Sequence, residues 1–326
     1  MTGPRLLVLA TGGTIAGQAG SATRRDYRPG QIAIADFLGQ AASLGLGARL
    51  TGIQIANIGS EDIGPPIWAR LHAEISRAIA DPAVDGIIVT HGTDTAEETG
   101  FLLDQTLPTV KPLVMVGAMR AADAVGSDGL RNFANAVRVA GDPQAAGRGM
   151  LLVMSDTVIA ARDARKSRTV GTGAFRGFPR DGIAMVTPSS LEWFGGPWRE
   201  GEEARFAFPA HFPEVPILHA WAGMTAASVD LVVSGAAQGL VLAGMGDGNA
   251  PAAVRDALAQ AARRGLAVVR SSRVDEGLVD RNPDDDAAGF VAARALGPAK
   301  ARILLQVLLA AGITDPAAQQ AAFDRR

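Results

Sequence analysis

A short apolar segment passes directly into a glycine-rich loop in Leu6-Leu-Val-Leu-Ala-Thr-Gly-Gly-Thr-Ile-Ala-Gly17. The segment is apolar on both faces, which is typical of a strand buried inside a parallel sheet. Similar apolar runs recur along the first half of the chain, at 86–90, 113–117 and 150–154. Longer stretches with helical character alternate with them, at 67–80, 97–105 and 128–140. This alternation predicts an α/β fold with a mostly parallel sheet.

The length of 326 residues exceeds what a single hydrophobic core usually spans, so we expect two domains. Between residues 188 and 216 the composition changes to Pro, Gly, Trp and charged residues without helical or strand periodicity. Strand-like runs and helical stretches then resume, at 217–220, 240–243, 252–264, 266–270 and 298–311. The sequence therefore predicts a larger N-terminal α/β domain over 1–190, a linker over 191–213 and a smaller C-terminal α/β domain over 214–326.

The composition argues against several classes of protein. With 31 Lys and Arg against 33 Asp and Glu and no basic block, the chain lacks the positive surface that nucleic acid binding requires. No apolar run approaches the roughly 18 residues of a membrane helix. The apolar run after the first five residues is too short for a signal peptide, which predicts a cytoplasmic protein.

Neither sulfur chemistry nor metal chemistry finds support in the residue types. Cysteine is absent, which excludes a thiolate nucleophile. No Gly-x-Ser-x-Gly motif of serine hydrolases occurs, and metal-ligand spacing is missing among the histidines His72, His91, His211 and His219. We therefore predict neither a metal nor a cofactor.

The glycine-rich loop after the first strand has two readings. A loop that binds phosphate or a dinucleotide is the ordinary one, but the positions of Gly12, Gly13 and Gly17 fit neither the Gly-x-Gly-x-x-Gly nor the Walker pattern. Such a loop also exposes backbone N–H groups at the carboxyl end of a parallel strand, where open α/β sheets bind ligands. The Thr14 hydroxyl would then lie in the binding site.

A second loop with hydroxyl groups follows another predicted strand, in Val89-Thr-His-Gly-Thr-Asp-Thr-Ala-Glu-Glu98. Thr95 and Glu98 have capping-box spacing, which predicts that a helix begins at Thr95 and leaves Thr93 and Asp94 in the loop. Two such loops at neighbouring strand ends can surround one cavity with a nucleophile, a proton acceptor and N–H donors, as acyl transfer requires. The alternative is that these side chains only cap helices.

With these two motifs, Ala10-Thr-Gly-Gly-Thr-Ile-Ala-Gly17 and Thr90-His-Gly-Thr-Asp-Thr95, the sequence resembles bacterial L-asparaginases of the asparaginase/glutaminase family. The resemblance continues along almost the whole chain, through Asn57-Ile-Gly-Ser-Glu-Asp62, Val116-Gly-Ala-Met-Arg120, Asp128-Gly, Ala161-Arg-Asp-Ala-Arg-Lys166, Gly246-Asp-Gly-Asn249 and Ser271-Ser-Arg-Val-Asp275. It implies hydrolysis of L-asparagine to L-aspartate and ammonia, with L-glutamine hydrolysis as a side activity.

The resemblance also implies roles for the catalytic side chains. Thr14 corresponds to the nucleophile, which forms an acyl-enzyme that water then cleaves. Tyr27, the only tyrosine, corresponds to a lid residue that hydrogen-bonds the nucleophile, and it lies in the polar segment 24–30. Thr93, Asp94 and Lys166 correspond to the second catalytic group. A purely structural ion pair is the alternative for Lys166.

The same resemblance assigns the groups that bind the amino acid substrate. Ser60 corresponds to the site of the substrate carboxylate, and Asp94 and Glu61 to the site of its ammonium group. Ala118 corresponds to the residue whose carbonyl orients the leaving amide nitrogen, and Asn249 to one that reaches the site from a partner subunit. Asparagine and glutamine differ by one methylene, which gives only about 1–3 kcal/mol of discrimination.

One position departs from the family pattern. Similar enzymes carry a carboxylate for the substrate ammonium group where this chain has Asn282, in the acidic segment 280–286. Asp280 or Asp284 is a candidate replacement, and a solvated acidic loop is the alternative.

The resemblance further implies a flavodoxin-like C-terminal domain and a homotetramer built as a dimer of intimate dimers. Two other functions stay open at this point. One is an amidase that acts on a larger amide substrate, and the other is a non-catalytic sensor that binds an amino acid.

Overall fold

The computed structural model describes residues 3–21, 23, 27–197, 203–233 and 235–325. The chain forms two compact units, Met1–Arg205 and Phe206–Arg326. Part of the predicted linker, 191–193, is a strand in the sheet of the first unit, and residues 198–202 lie outside the described residues. Domain boundaries at 190 and 214 stay predictions. Over the described residues, no helix is long and apolar enough to cross a membrane.

The described part of the first unit contains ten strands, which are β1 (Arg5–Gly12), β2 (Arg49–Ile58), β3 (Gly86–Thr90), β4 (Leu113–Val116), β5 (Met150–Met154), β6 (Thr157–Ala160), β7 (Ala164–Lys166), β8 (Phe175–Gly177), β9 (Ala184–Val186) and β10 (Leu191–Trp193). Eight of them form one sheet in the order β10-β9-β6-β5-β4-β3-β1-β2. Strands β1 to β5 are parallel, whereas β6, β9 and β10 are joined by antiparallel pairing. Strands β7 and β8 form a separate antiparallel pair.

Helices cover both faces of the parallel part of this sheet. They are α1 (Ile34–Ala42), α2 (Pro65–Ala80), α3 (Ala96–Thr106) and α4 (Gly129–Ala140). Phe37 of α1 and Phe133 of α4 meet edge to face, 5.0 Å apart, in the core on one face, where Val8 and Ile88 also pack. The core on the other face contains side chains of α2 and α3, including Leu71. Both faces of β1, β3 and β4 are therefore buried, which explains their continuous apolar sequence.

The predicted strands and helices of the first half of the chain are confirmed, with boundaries that differ by two residues at most. Strand β2 was not predicted, because its sequence, Arg49-Leu-Thr-Gly-Ile-Gln-Ile-Ala-Asn-Ile58, mixes polar and apolar residues. The structure explains this composition: β2 is an edge strand, and most of its residues are only partly buried or exposed.

The second unit has a parallel four-stranded sheet in the order β11-β12-β13-β14, formed by Ile217–His219, Gly239–Gly244, Ala267–Ser272 and Phe290–Ala292. Its helices are α5 (Ala227–Val233), α6 (Ala252–Arg263), α7 (Pro283–Ala287), α8 (Pro298–Ala310) and α9 (Pro316–Asp324). One core packs Val229 and Leu258, from α5 and α6, against the sheet. The smaller α/β domain predicted from the sequence is confirmed as a parallel-sheet unit.

The strand order in the first unit determines where a ligand can bind. The chain passes from β1 outward to β2 and then returns across β1 to β3. In such sheets the crevice at the carboxyl ends of the strands, where the order reverses, is the usual ligand site. The loops that follow β1, β2, β3 and β4 all begin at this edge.

Candidate functional site

One cavity of about 280 Å³ lies at the carboxyl ends of β1, β2 and β3. Its lining comes from the loops that follow these strands and from the segment around Tyr27, and consists of Gly13, Thr14, Tyr27, Pro29, Ser60, Glu61, Gly92, Thr93 and Asp94. Thr14 and Thr93 therefore face the same cavity, as the sequence analysis requires. Both side chains are buried in the walls, with 4% and 6% of their surface exposed.

Glycines allow the loops after β1 and β3 to touch. Gly13 has a φ of 75°, and a Cβ at this position would lie 2.4 Å from the Gly92 Cα. A side chain at Gly92 would in turn lie 2.7 Å from the Ser60 hydroxyl oxygen. Any larger residue would push the loops apart, because real Cβ atoms essentially never approach other atoms so closely. The glycines thus bring Thr14, Thr93 and Ser60 to one small cavity.

Thr14 and Tyr27 form a short hydrogen bond. The Thr14 Oγ1 lies 2.5 Å from the Tyr27 hydroxyl oxygen, and either group can donate. The tyrosine approaches along a backbone segment that pairs with Gln18, since Arg28 N donates to Gln18 O at 2.9 Å and Gln18 N donates to Arg28 O at 3.1 Å. Residues 24–26 of the polar segment 24–30 lie outside the described residues. The predicted contact between Tyr27 and Thr14 is present in the structure.

Lys166 connects the second hydroxyl to a carboxylate. It ends strand β7, and its Nζ donates to Thr93 Oγ1 at 2.9 Å and to the Asp94 carboxylate. The Lys166 side chain is 18% exposed, whereas that of Asp94 is 61% exposed. The Thr93 hydroxyl accepts from the ammonium group, so its own proton remains available to another acceptor. The structure thus brings together the three residues, Thr93, Asp94 and Lys166, that the resemblance assigns to one group, and their catalytic role stays a prediction.

Ser60 joins the loop after β2 to the loop after β3. Its hydroxyl oxygen accepts from Asp94 N at 3.1 Å, and its carbonyl accepts from Thr95 Oγ1 at 2.7 Å. Helix α3 begins after Thr95 as predicted, but the threonine side chain makes no cap bond, so the predicted capping box is wrong in that detail. The Thr95 hydroxyl instead fixes Ser60 against Asp94.

Several residues that line the cavity have backbone N–H groups without an acceptor among the described residues. The N–H groups of Thr14 and Thr93 donate to no acceptor within the part of the chain that the structure describes. The same holds for the N–H groups of Ser60 and Glu61, which begin a 3-10 turn (Ser60–Asp62). Free N–H groups of this kind can bind an oxyanion or a carboxylate. The cavity thus offers two anion-binding places, one beside the hydroxyls and one beside Ser60.

The loop after β4 is held by two buried side chains that the sequence analysis did not select. The Asp128 carboxylate accepts from Met119 N at 3.0 and 3.1 Å and from Arg120 N at 3.0 Å. Asn132 donates to Gly117 O and to Asp128, both at 3.0 Å. These contacts fix the backbone on both sides of the buried Ala118. Asp128 and Asn132 have i, i+4 spacing at the start of α4, which places both on one face of the helix but does not show which loop they contact.

His91 lies beside the site but has no contact that suggests catalysis. Its ring is fully buried, its Nδ1 lies 2.7 Å from Gly92 O, and its Nε2 has no partner among the described residues. Burial lowers the pKa of His91 to about 4, against an opposing contribution from the Gly92 carbonyl. The ring is therefore neutral at pH 7.

This burial predicts a pH-dependent stability. The unfolded chain binds a proton at His91 near pH 6.5, whereas the folded chain does so only near pH 4. The stability that this difference in proton binding gives the folded chain is fully present above pH 6.5 and is lost as the pH falls toward 4. We expect the free energy of unfolding to decrease by about 3 kcal/mol between pH 7 and pH 4 from this residue. Urea denaturation of the protein and of His91→Gln measures the difference.

The exposed His219 provides the matched control, so His219→Gln is expected to keep the steep dependence. Burial also lowers the pKa of His72, which contributes a dependence of the same sign in every variant. An equally steep loss of stability in His91→Gln would contradict the assignment to His91.

Asn249 and the acidic segment lie in the second unit. Asn249 closes a tight loop, because its backbone N–H and carbonyl both pair with Met245 at 2.7 Å. Asn282 caps α7, accepting from Asp285 N at 2.9 Å, and Asp280 is ion-paired with Arg294. Asp284 lies in the first turn of α7. Asp280, Asp284 and Asp286 are exposed, as the alternative of a solvated acidic segment expects, although residues 283–287 form a helix and not a loop.

Asp285 is the buried residue of that segment. Its carboxylate lies 2.6 Å from Arg270 and 2.5 Å from Arg255, and only 3% of its side chain is exposed. Arg270 also donates to the carbonyls of Asp247 and Asp280, each at 2.7 Å. The acidic segment is thus tied to the loop that carries Asn249.

Known proteins are similar to this chain along both units. The family description "Asparaginase, N-terminal" matches residues 5–199, and "Glutaminase/Asparaginase C-terminal domain" matches residues 214–323. The L-asparaginase 2 of Escherichia coli (strain K12) is 38% identical over 311 residues, which cover 94% of this chain and 89% of that protein.

Two further relatives extend the comparison. A probable periplasmic L-asparaginase of Haemophilus influenzae is 36% identical over 316 residues, covering 94% of this chain and 88% of that protein. The crystal structure of a probable cytoplasmic L-asparaginase from Campylobacter jejuni is 32% identical, superposes with a TM-score of 0.90, and is matched over 98% of this chain and 99% of that one. The matches cover both units in the same order, and the chain therefore belongs to the asparaginase family of amidohydrolases.

Proposed function

We propose that this protein hydrolyses L-asparagine to L-aspartate and ammonia through an acyl-enzyme on Thr14, with L-glutamine hydrolysis as a side activity. The observation that carries the proposal is a single cavity that brings the Thr14–Tyr27 pair and the Thr93–Lys166–Asp94 group together. Amide hydrolysis needs a nucleophile, a proton carrier and an oxyanion site, and this cavity supplies a candidate for each.

In the acylation step the Thr14 oxygen attacks the side-chain amide carbon of asparagine. The attacking hydroxyl passes its proton to the Tyr27 oxygen, which lies 2.5 Å away, while the Tyr27 hydroxyl gives up its own proton to the leaving amide nitrogen, directly or through a bound water. The free N–H groups of Thr14 and Thr93 stabilise the negative charge on the carbonyl oxygen. The amide nitrogen gains a proton and leaves as ammonia, and the β-aspartyl ester of Thr14 remains. Loss of such a donor costs about 3–4 kcal/mol in a comparable acyl transfer.

In the deacylation step a water molecule attacks the ester. The Thr93 hydroxyl, which accepts from Lys166 Nζ at 2.9 Å, keeps its proton free to orient that water and to exchange protons with it. Asp94 holds the ammonium group of Lys166 in place on the other side. Cleavage of the ester restores the Thr14 hydroxyl and releases L-aspartate.

The cavity also fits the amino acid end of the substrate. The N–H groups of Ser60 and Glu61 and the Ser60 hydroxyl bind the carboxylate, while the Asp94 and Glu61 side chains bind the ammonium group. The Ala118 carbonyl orients the leaving amide nitrogen, and Asp128 and Asn132 hold that loop in place. Asn249 acts from a partner subunit in a dimer of intimate dimers. Asn282 contributes no carboxylate, and Asp280 is already paired with Arg294.

The location proposed for this protein is the cytoplasm, as predicted from the sequence. A cytoplasmic location agrees with the name of the Campylobacter jejuni structure, whereas the Haemophilus influenzae relative is named periplasmic. Cell fractionation with detection of the protein in each fraction distinguishes these two locations.

An ammonia-release assay with L-asparagine and L-glutamine tests the proposed reaction. We expect release from both, faster from asparagine, with L-aspartate as the second product. Binding of asparagine without ammonia would instead indicate an amino acid sensor. Release only from a larger amide, such as a peptide-bound glutamine, would indicate an amidase that acts on a larger amide substrate.

A further inference from the structure

The segment that carries Tyr27 is held by backbone contacts that take no part in the proposed reaction. The segment 17–20 pairs with the segment of Tyr27 through the Gln18–Arg28 bridge. The Tyr27 ring packs directly on the backbone at Gly17, because a Cβ there would lie 2.9 Å from the ring carbon Cδ2. The position of the segment 17–20 therefore determines where the tyrosine hydroxyl lies.

The loop after β4 holds this segment. The Asp123 carboxylate accepts from Ala19 N at 2.9 and 3.1 Å and from Gly20 N at 2.9 Å. One residue earlier, Ala122 N donates to Gly17 O at 2.9 Å. Two adjacent residues of one loop thus contact both ends of the four-residue segment. The contacts involve backbone groups of the segment, so they constrain its path and not only its side chains.

The charge of Asp123 suits this role. The hydrogen bond from Ala19 N, followed by that from Gly20 N, holds the pKa of Asp123 below its usual value, so the carboxylate is ionised at neutral pH. An ionised carboxylate accepts stronger hydrogen bonds from backbone N–H groups than a neutral acceptor does. The residue lies outside the cavity lining and reaches no reacting group of the described site.

We propose that Asp123 is a positioning residue for Tyr27: it fixes the segment 17–20 and thereby sets the contact between the Tyr27 hydroxyl and Thr14. The inference rests on the proposed function, in which that contact carries the proton of Thr14. It adds a residue of the loop after β4 to those that determine the rate, although this residue touches neither the substrate nor the nucleophile.

A double-mutant cycle tests the route of the effect. We expect Asp123→Ala to lower kcat/KM for asparagine about tenfold, since displaced lid residues typically change both kcat and KM. In the background of Tyr27→Phe the same change is expected to lower kcat/KM less than about twofold, because the hydroxyl is already gone. Asp123→Asn retains one acceptor oxygen and is expected to recover part of the rate.

The exposed Asp36, which shows no side-chain hydrogen bond to the described residues, provides the control variant Asp36→Ala with kcat/KM unchanged. A loss in Asp123→Ala that persists undiminished in the Tyr27→Phe background would overturn the proposal, because the aspartate would then act by another route.

A second measurement does not depend on turnover. Tyr27 is the only tyrosine of the chain, so incorporation of 3-fluorotyrosine gives a single fluorine resonance that reports on this side chain. We expect Thr14→Ala to shift the resonance, which identifies the contact between Tyr27 and Thr14. We expect Asp123→Ala either to shift the resonance in the same direction or to broaden it. An unchanged resonance in Asp123→Ala would refute the positioning role even if the enzyme hydrolyses asparagine. Persisting ammonia release by Thr14→Ala would refute the proposed function instead.

Discussion

Replacing Thr14 by alanine is expected to lower kcat for ammonia release from asparagine by about 10⁴-fold or more, while asparagine still binds. The substitution removes the hydroxyl that attacks the amide carbon. It leaves the N–H groups of the cavity, Ser60 and Asp94 in place, so the binding groups for the amino acid survive. Ammonia release gives kcat, and isothermal titration with asparagine gives the dissociation constant.

Thr106 offers a matched control for the loss of a buried threonine. Its hydroxyl donates to Leu102 O at 2.8 Å within α3 and lies outside the cavity lining. We expect Thr106→Ala to change stability, through the lost hydrogen bond, and to leave kcat within about twofold. Thr14→Ser keeps a hydroxyl and is expected to retain measurable turnover.

Trapping of the covalent intermediate decides which threonine is acylated. Both Thr14 and Thr93 face the cavity, and both have a hydrogen-bonded partner that can handle a proton. Acid quenching during turnover followed by peptide mapping is expected to find the β-aspartyl ester on the peptide that contains Thr14. An ester on the Thr93 peptide would exchange the roles of the two hydroxyls and contradict the proposed mechanism.

The sequence predicted the reacting residues of the site better than the residues that hold them in position. Thr14 and Thr93 follow strands that are apolar on both faces, and such strands can only be central, so their carboxyl ends had to meet at one edge. Ser60 was assigned by resemblance alone, because β2 lacks the continuous apolar pattern of the central strands. Its position beside Thr93 depends on the order β2-β1-β3, which local composition does not encode.

The residues that hold the site together were not predicted, for a physical reason. Asp128 and Asp123 bind backbone N–H groups of segments that lie 8 to 104 positions away in the chain, at Met119, Arg120, Ala19 and Gly20. A backbone donor has no side-chain identity, so no residue pattern shows which loop will receive the carboxylate. Hydroxyl and ammonium groups around a cavity form a motif, whereas their anchors appear only in three dimensions.

Replacing Lys166 by methionine is expected to lower kcat/KM for asparagine by about 10³-fold, within the range found for loss of a group that assists proton transfer. Methionine has a similar length but no ammonium group, so the Thr93 hydroxyl loses its donor and Asp94 loses its counter-charge. The alternative is that Lys166 only stabilises the fold. If Lys166 forms only a structural ion pair with Asp94, Lys166→Met would lower the free energy of unfolding and leave kcat/KM of the folded protein unchanged.

A second ion pair of the same unit separates these two explanations. Arg131 lies 2.9 Å from Asp156, and both groups are partly exposed, outside the cavity lining. Arg131→Met removes a salt bridge of a kind that stabilises a protein by about 1 kcal/mol at most, and it should leave kcat/KM unchanged. If Lys166→Met resembles Arg131→Met in both urea denaturation and kcat/KM, the lysine has no part in the reaction. A loss of rate without a comparable loss of stability shows that the ammonium group takes part in turnover, through its contact with the Thr93 hydroxyl or with Asp94, which both lie at the cavity.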